Sequence, residues 1–182
     1  MEVLDEMLRE LSRVGRVSTR DNMVIVEVGA DKLREAASLL VKHGFDHVAS
    51  LTVVDLVKEG RFRIDYVAES YDNPLRIVVL RTFVPRNEPK VPSLIDIWPS
   101  VELQERENWE MFGIVFEGHP DLRHLLLPDD WPPGTYPLRK DFVVREEPIM
   151  APPELQKRAE EVARRAGLGS EAGGQQQQAH GH

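Results

Sequence analysis

The amino-acid sequence predicts an α+β fold in its first half and an extended, proline-rich arm in its second half. Two amphipathic helix patterns alternate with β-branched stretches, and the later stretches are separated by short turns. Short hairpins favour a mainly antiparallel sheet with the helices packed on one face. We therefore expect an αβαβββ domain over residues 1–85, built around a four-stranded sheet.

Apolar residues at intervals of three or four mark the two helices. Residues 3–14 place leucines along one side of a helix, and Gly15 is a suitable stop. Residues 31–43 repeat the pattern, and Gly44 closes this second helix. Both helices have one apolar side, so both are expected to pack against the sheet.

Four strands are predicted over residues 23–28, 48–57, 61–69 and 75–84. The third strand alternates between apolar and charged residues, which is typical of a strand with one face on the core and the other in water. The charged turn at residues 58–60 joins the second strand to the third as a hairpin.

A loop and two short helices over residues 86–113 are expected to complete the domain. The first helix runs from Ser93 to Trp98 and has a serine at its capping position. The second begins at Ser100 and ends at Gly113, a residue type that commonly follows the last helical turn.

Proline dominates the rest of the ordered chain. Eight of the thirteen prolines lie between residues 118 and 153. This composition predicts extended or turning backbone over residues 114–153, which we interpret as an arm that binds a partner. A helix is expected over residues 154–167, and the glutamine-rich tail at 168–182 is expected to be disordered.

The composition argues against several classes of function. The chain has no cysteine, so it cannot supply thiolate ligands to a metal or an iron–sulfur cluster. A net charge of −8 without a basic stripe argues against nucleic-acid binding. No apolar run approaches the roughly 20 residues of a membrane span, and the first residues lack the pattern of a signal peptide.

The residues that could carry chemistry form no firm pattern. Glu105 and Glu107 flank Arg106 at helical spacing, which is more typical of a solvated or interface side of a helix than of an acid–base pair. His119 and His124 lie near acidic residues, but their spacing matches no established ligand motif. The sequence contains no phosphate-binding glycine loop and no nucleophile elbow. We therefore expect no catalytic, cofactor or metal site in this chain.

Large aromatic residues are concentrated around the arm. Seven of the twelve lie between residues 98 and 142, including all three tryptophans. Aromatic and arginine side chains are frequent anchors of protein interfaces, and an irregular proline-rich segment offers little apolar surface of its own. We therefore expect the arm to be completed by another subunit rather than by the chain's own sheet.

One stretch carries a specific resemblance to a known family. Residues 105–131 read ERENWEMFGIVFEGHPDLRHLLLPDDW, and residues 136–142 read YPLRKDF. This pattern resembles the signature of the 30-kilodalton subunit of respiratory complex I, the NADH-quinone oxidoreductase. The family has counterparts in complex I-like enzymes and in membrane-bound nickel–iron hydrogenases.

The resemblance implies a non-catalytic structural and assembly subunit in the peripheral arm of a complex I-type quinone oxidoreductase. The electron donor of such a complex is NADH, a reduced deazaflavin or ferredoxin. The chain would dock onto the hydrogenase-large-subunit-like subunit that holds the quinone site, with the small iron–sulfur subunit nearby. Iron–sulfur clusters, quinone and a flavin or its equivalent are expected in those partners. The complex would hold the chain on the cytoplasmic side of the cell membrane.

The residues expected at the partner interface belong to the last helix of the domain and to the arm. They are Glu105, Arg106, Glu107, Trp109, Phe116, His119, Pro120, Asp121, Arg123, Trp131, Tyr136, Leu138, Arg139, Lys140, Asp141 and Phe142.

Three other functions stay open on the sequence alone. The same architecture could serve in a membrane-bound nickel–iron hydrogenase-type complex. A free-standing hydrolase could use Glu105, Glu107 or His119, and it would turn over substrate without any partner. A generic adaptor unrelated to electron transfer would need no reactive residue at all.

Overall fold

The computed structural model describes residues 2–71 and 77–144, together with the single positions Arg158, Glu161, Val162 and Arg165. These four positions are helical, and Arg165 pairs with Glu161 at 2.8 Å. The rest of the predicted helix at 154–167, and the tail at 168–182, lie outside the described residues. In the described part of the chain, every helix is too short or too polar to cross a membrane.

Three helices and seven strands are assigned in the two long described ranges. The helices are α1 (Glu2–Val14), α2 (Leu33–Lys42) and α3 (Glu102–Phe112). The strands are β1 (Arg16–Arg20), β2 (Met23–Glu27), β3 (His47–Leu56), β4 (Arg61–Glu69), β5 (Ile77–Pro85), β6 (Lys90–Pro92) and β7 (Val115–Glu117). All of them belong to one compact unit, Met1–Phe142, and residues 143–182 form a second unit.

The main sheet has five strands in the order β1-β2-β5-β4-β3. Its neighbouring strands are antiparallel except for β2 and β5, which are parallel. A second, two-stranded sheet pairs β6 with β7 in parallel. The predicted α+β class and the mainly antiparallel sheet are therefore confirmed.

The prediction of four strands is wrong, because it missed β1. This strand reads RVSTR and lies at the edge of the sheet with four of its five residues exposed, so it has no apolar alternation to reveal it. The signal that could have found it is the turn that follows. Asp21 adopts a φ of 55°, and Arg20 pairs directly with Met23, so Asp21 and Asn22 form a two-residue hairpin turn.

The hydrophobic core lies on one face of the main sheet, and the helices cover that face. Cross-strand register aligns Val26, Leu80 and Tyr66 there, and each is fully buried. Helix α1 contributes Met7 and Leu11 to the same core. Helix α2 contributes Leu33, Ala36, Ala37 and Leu40. The packing of helices on one face is as predicted. The alternation in β4 is also observed, but its second face is not in water as predicted: Arg61 is exposed, Arg63, Val67 and Glu69 are half-buried, and Asp65 is buried.

The segment expected to form a helix from Ser93 to Trp98 forms a turn instead, and a short 3-10 turn follows over Pro99–Val101. The reason is tertiary. The Trp98 indole is buried and donates a hydrogen bond to the Phe45 carbonyl at 2.9 Å, and the Ser93 hydroxyl donates to Glu105 of α3. The Ser93 and Leu94 backbone N–H groups likewise donate to distant acceptors on Glu117 and Glu105, so only one turn closes locally, through the Leu94 carbonyl.

Helix α3 closes the β3 edge of the main sheet. Gln104 accepts a hydrogen bond from the Leu51 backbone N–H at 2.6 Å. Asn108 donates to the Leu51 carbonyl, and Ser100 accepts from the Val48 N–H. An open sheet edge is a site for unwanted strand pairing, so these side chains protect the edge while they fix the position of α3.

We expect Gln104→Ala to lower the free energy of unfolding by about 1–3 kcal/mol, because it leaves the Leu51 N–H without its acceptor. Urea unfolding of the purified chain measures this. Leu103→Ala is the control on the same helix, since Leu103 is 55% exposed. Its effect should stay near 0.5 kcal/mol or below, on the order of an ordinary surface substitution. Equal losses for both variants would contradict the role given to Gln104.

Candidate partner interface

The structure divides the residues predicted at the interface into three groups by exposure. The buried ones are Glu105, Arg106 and Phe116. The half-buried ones are Trp109, His119, Asp121, Trp131, Tyr136, Arg139 and Phe142. The exposed ones are Glu107, Pro120, Arg123, Leu138, Lys140 and Asp141.

Glu105 belongs to the interior and not to a contact surface. Its carboxylate accepts hydrogen bonds from the Ser93 hydroxyl, from the Leu94 backbone N–H at 2.9 Å and from the Tyr66 hydroxyl at 3.3 Å. Burial raises the pKa of Glu105, and these donors lower it by less than burial raises it. Phe116 is likewise buried in the core, at 1% exposure. We therefore assign both residues to the fold of this chain.

Arg106 and Glu110 of α3 bind the backbone of the arm's first half, and we call this pair the first anchor. The guanidinium of Arg106 donates to the Arg123 carbonyl at 2.6 Å and to the His124 carbonyl. Glu110 accepts from the backbone N–H groups of residues 125, 126 and 127 at 3.0, 2.8 and 3.2 Å. One helix thus satisfies both the donors and the acceptors of a segment that has no strand or helix of its own.

The electrostatics of Glu110 differ from those of Glu105 five residues earlier. Burial raises the pKa of the Glu110 carboxyl, but the three backbone N–H groups and His124 together outweigh burial, and the net pKa is lowered. Glu110 is therefore held as a carboxylate, which is the form that accepts from all three amides.

His119 organises the turn at the start of the arm. Its Nδ1 accepts from the Asp121 backbone N–H at 3.1 Å, so Nε2 carries the proton and donates to the Glu102 carbonyl at 3.0 Å. Asp121 in turn pairs with Arg123 at 2.9 Å. The sequence His119-Pro120-Asp121 therefore forms a turn fixed to α3.

A second anchor binds the end of the arm, and it consists of Asp55, Arg86 and Arg139. Asp55, at the end of β3, accepts from the Lys140 backbone N–H at 3.0 Å and pairs with Arg86 at 2.9 Å. Arg86 also pairs with Asp141, which lowers the pKa of that carboxyl. Arg139 donates to the Phe112 carbonyl at 2.7 Å, immediately before Gly113 ends α3.

Gly113 is required where the second anchor meets α3. It adopts a φ of +74°, and a Cβ built on it would clash with the Tyr136 ring. The Arg139 guanidinium lies 4.3 Å from the centroid of the same ring and 5.2 Å from that of Phe62. Tyr136 therefore packs between a residue without a side chain and a cation, and both contacts fix the arm's second half.

The arm is therefore folded back along the domain over residues 119–142, and the expectation that another subunit, rather than this chain, completes it is corrected for that part. Residues 145–153 of the predicted arm lie outside the described residues. Most of its hydrogen bonds to the domain join a charged side chain to backbone, which apolar patterning does not reveal. Aromatic contacts are fewer: the Trp131 and Phe142 rings lie 6.4 Å apart, and the Trp109 and His124 rings 5.5 Å apart.

Three leucines of the folded arm remain exposed to solvent. Leu125 is 38% exposed, Leu126 63% and Leu138 53%. Leu125 and Leu126 lie in the segment that Glu110 fixes, and the Leu138 backbone N–H donates to the Met111 carbonyl at 3.2 Å. The apolar side chains are thus presented outward from a backbone whose position is set by the domain.

The predicted acidic candidates do not form an acid–base pair. Glu105 is fully buried and hydrogen-bonded, whereas Glu107 is exposed to solvent. Across residues 2–71 and 77–144, no three histidine or acidic side chains gather closely enough to bind a metal ion.

The sequence reasoning missed Asp55, Arg86 and the backbone role of Glu110. Asp55 stands on the core face of β3, opposite Phe62, where an apolar residue is the rule. A lone acid at a core position of a predicted strand is the signal that could have found it, because a buried charge requires a partner.

Residues 26–148 match the family model described as the 30 Kd subunit of respiratory-chain NADH dehydrogenase. The match covers more than half of the 182 residues. The chain belongs to this family. The resemblance found over residues 105–142 is thereby confirmed.

Three relatives, each named as the C subunit of NADH-quinone oxidoreductase, agree with the assignment. The one from Moorella thermoacetica is 36% identical over 148 residues, which cover 79% of this chain and 98% of the relative. The one from Acidothermus cellulolyticus is 41% identical over 129 residues, 67% of this chain and 65% of the relative. The one from Chloroherpeton thalassium is 41% identical over 102 residues, 56% of this chain and 41% of the relative. The chain thus spans less than two thirds of the length of two of these relatives.

Two solved structures share the fold. A trypsin-resistant fragment of Nqo5 superimposes with a TM-score of 0.58 at 27% identity, covering 66% of this chain and 99% of the fragment. A chain of the membrane-bound sulfane sulfur reductase, an archaeal respiratory membrane complex, superimposes with a TM-score of 0.69 over 98% of this chain and 97% of its own length. Its identity is 22%, so this second likeness shows the fold alone.

The two buried glutamates of α3 should give this family member opposite pH dependences. The raised pKa of Glu105 means that its contribution to stability is complete at low pH and is lost as the pH rises from the ordinary glutamate pKa through the raised one. The lowered pKa of Glu110 means that its contribution is complete above the ordinary pKa and is lost as the pH falls through the lowered one.

We therefore expect the free energy of unfolding of the wild type, relative to that of Glu105→Gln, to decrease as the pH rises. The free energy of unfolding of the wild type, relative to that of Glu110→Gln, should increase over the same rise in pH. Urea unfolding at a series of acidic to neutral pH values measures both slopes. Slopes of the same sign for the two variants would contradict the assignment.

Gly113→Ala should loosen the second half of the arm. A left-handed alanine costs about 1–2 kcal/mol by itself, and contact with the Tyr136 ring adds to that cost. Gly134→Ala is the matched control, because Gly134 has a φ of +75° and a Cβ there would meet nothing within 4 Å. We expect Gly113→Ala to destabilise more, and to accelerate hydrogen exchange of the Leu138 amide. Equal effects of the two variants would show that the Tyr136 contact contributes nothing.

Proposed function

We propose that this chain is a non-catalytic structural subunit in the peripheral arm of a complex I-type quinone oxidoreductase. In this proposal, residues 119–142 dock on a hydrogenase-large-subunit-like subunit that holds the quinone site, and a small iron–sulfur subunit lies nearby. The complex then holds the chain on the cytoplasmic side of the membrane. The family assignment and the three relatives from NADH-quinone oxidoreductases support the proposal.

The observation that carries the docking proposal is the contrast between the fixed backbone and the exposed leucines of the arm. The two anchors order the backbone before any partner binds, so little conformational entropy remains to be lost on binding. Leu126 and Leu138 stay 63% and 53% exposed. Burying a leucine side chain is worth roughly 1.5–3 kcal/mol, so a partner that covers both gains from a surface already in position.

The proposed role in electron transfer is indirect. The chain has no cysteine, so the iron–sulfur clusters, together with quinone and a flavin or its equivalent, would reside in the neighbouring subunits. The charged residues Arg123 and Lys140 lie beside the exposed leucines in sequence and would set the register of docking. A rigid subunit at this position would maintain the shape of the quinone-site region.

The hydrogenase-type and hydrolase alternatives each require a different chemical feature. A hydrogenase-type complex would use the same surface, so only the nickel-ligand cysteines of its large subunit would distinguish it. A hydrolase needs two reactive groups in one cleft, and the burial of Glu105 with three internal donors removes it from that role.

Point substitutions test the docking surface more cleanly than truncation of the arm. Removing residues 119–142 would take from Arg106 and Glu110 the backbone groups that they bind, and from Asp55 the Lys140 N–H. We expect Leu126→Asp and Leu138→Asp to leave the fold intact and to lower recovery of the large subunit with the tagged chain by about tenfold or more, because 1.4 kcal/mol of lost affinity is a factor of ten. Leu103→Asp is the control, as Leu103 is 55% exposed on α3 outside the arm.

The measurement is mass spectrometry of proteins recovered with the tagged full-length chain from solubilised membranes, alongside thermal unfolding of each purified variant. Recovery of the large subunit at wild-type levels with both arm variants would refute docking through this surface. A large subunit with four nickel-binding cysteines would assign the chain to the hydrogenase-type complex.

A further inference from the structure

The main sheet has a second face that is built differently from the core face. Helices α1 and α2 contribute to the core cluster on one face of the sheet, and within residues 2–71 and 77–144 that cluster takes no residue from the opposite face, which we call the uncovered face. Asp65 on this face is nevertheless only 7% exposed. The arm's anchors belong to the helix-covered side, because Asp55 is on the core face of β3 and α3 packs there. The uncovered face is therefore separate from the docking surface described above.

This uncovered face is rich in arginine although the chain is acidic. Register places Arg16, Glu27, Arg81 and Asp65 in one row across four strands. Neighbouring positions on the same face add Arg20, Arg61, Arg63 and Glu69. Five arginines therefore stand against three acids, in a chain whose net charge is −8.

Two of the five arginines, Arg16 and Arg20, form no ion pair within the described residues, whereas Arg61 pairs with Glu59 just before β4. Arg81 takes both carboxylate oxygens of Asp65, at 2.7 and 3.0 Å. The Nε of Arg63 lies 3.1 Å from Asp65 but makes no hydrogen bond to any described residue, although it is buried. Arg16 and Arg20 are exposed on the edge strand and form no ion pair with the described part of the chain. A guanidinium presents a fork of donors that matches a carboxylate, so these groups are suited to binding acids.

An apolar stripe runs between the charged rows. Ile25, Val79 and Val67 are aligned across β2, β5 and β4; Ile25 and Val67 are half-buried, and Val79 is 6% exposed. Phe83 lies further along β5, with the Arg61 guanidinium 4.1 Å from its ring centroid. An apolar centre bordered by arginines is the arrangement expected at protein interfaces.

We propose that the uncovered sheet face is a second interaction surface, and that its occupant is an acidic protein surface carrying aspartate or glutamate around an apolar centre. Charge complementarity favours this occupant over an anionic membrane or a nucleic acid. Glu27, Asp65 and Glu69 stand among the arginines, and a continuous layer of phosphates would be repelled by them, whereas separate carboxylates can be placed opposite each arginine.

The test introduces amines at this face and asks what they touch in the intact complex. Arg20→Lys and Arg63→Lys keep the positive charge and supply an amine that a carbodiimide couples directly to a contacting carboxylate. Arg13→Lys is the matched control, since Arg13 is exposed on α1, on the helix-covered side. We expect the two face variants to form amide links to aspartate or glutamate of another subunit, in severalfold higher yield than the control.

Two results would overturn the proposal. The first is that the introduced lysines couple only to acids of the same chain, such as Asp65 and Glu69, or that they couple to another subunit in no higher yield than Arg13→Lys does. The other is flotation of the purified wild-type chain with phosphatidylglycerol vesicles that is lost in Arg20→Glu/Arg63→Gln, which would make the partner a lipid surface. If substitution of the half-buried Arg63 prevents folding, Arg20→Lys by itself still tests the proposal. Because the arm's docking is measured by recovery of the large subunit, failure of one proposal is distinguishable from failure of the other.

Discussion

The fold depends on three ionisable side chains of α3 that are buried in the protein interior. Glu105, Arg106 and Glu110 are each at most 9% exposed, and each satisfies backbone or hydroxyl groups of a segment distant in sequence. A buried charge is costly unless it is paired or hydrogen-bonded, and these three are. The chain segments on both sides of α3 are therefore fixed relative to it, and through it to the sheet.

This constraint explains how a proline-rich segment is ordered without a core of its own. An irregular backbone cannot pair its N–H and C=O groups with itself, so they must find other partners. Glu110 supplies an acceptor for three successive amides, and Arg106 donates to the carbonyls just before them. Since polar contacts fix the backbone, the leucines of the arm are not needed inside and remain available outside. That is the physical basis for interpreting the arm as a docking surface in a family whose members work within larger assemblies.

The main sheet shows a related division between its two faces. One face is completed by helices α1 and α2, and the edge strand β3 is closed by polar side chains of α3. The other face combines an apolar stripe with arginines whose acids are too few to pair them all. Helices thus complete one side of the domain, and the charge pattern of the other side is suited to an external acidic surface.

The sequence alone determined the elements whose signal is local. Helices α1 and α2 and strands β2 to β5 follow from apolar periodicity, and Gly113 follows from the need for a left-handed residue after α3. The family was also determined at this level, because its signature is a contiguous stretch of sequence. Tertiary structure decided what periodicity does not encode: strand β1 has no apolar alternation, and the turn at 93–98 follows from the burial of Trp98. The path of the arm was decided in the same way, since the Asp55 carboxylate and the Lys140 amide lie 85 residues apart. Hydrogen bonds from side chains to distant backbone leave no repeat in the sequence, and so only the folded chain shows which charged residues lie inside.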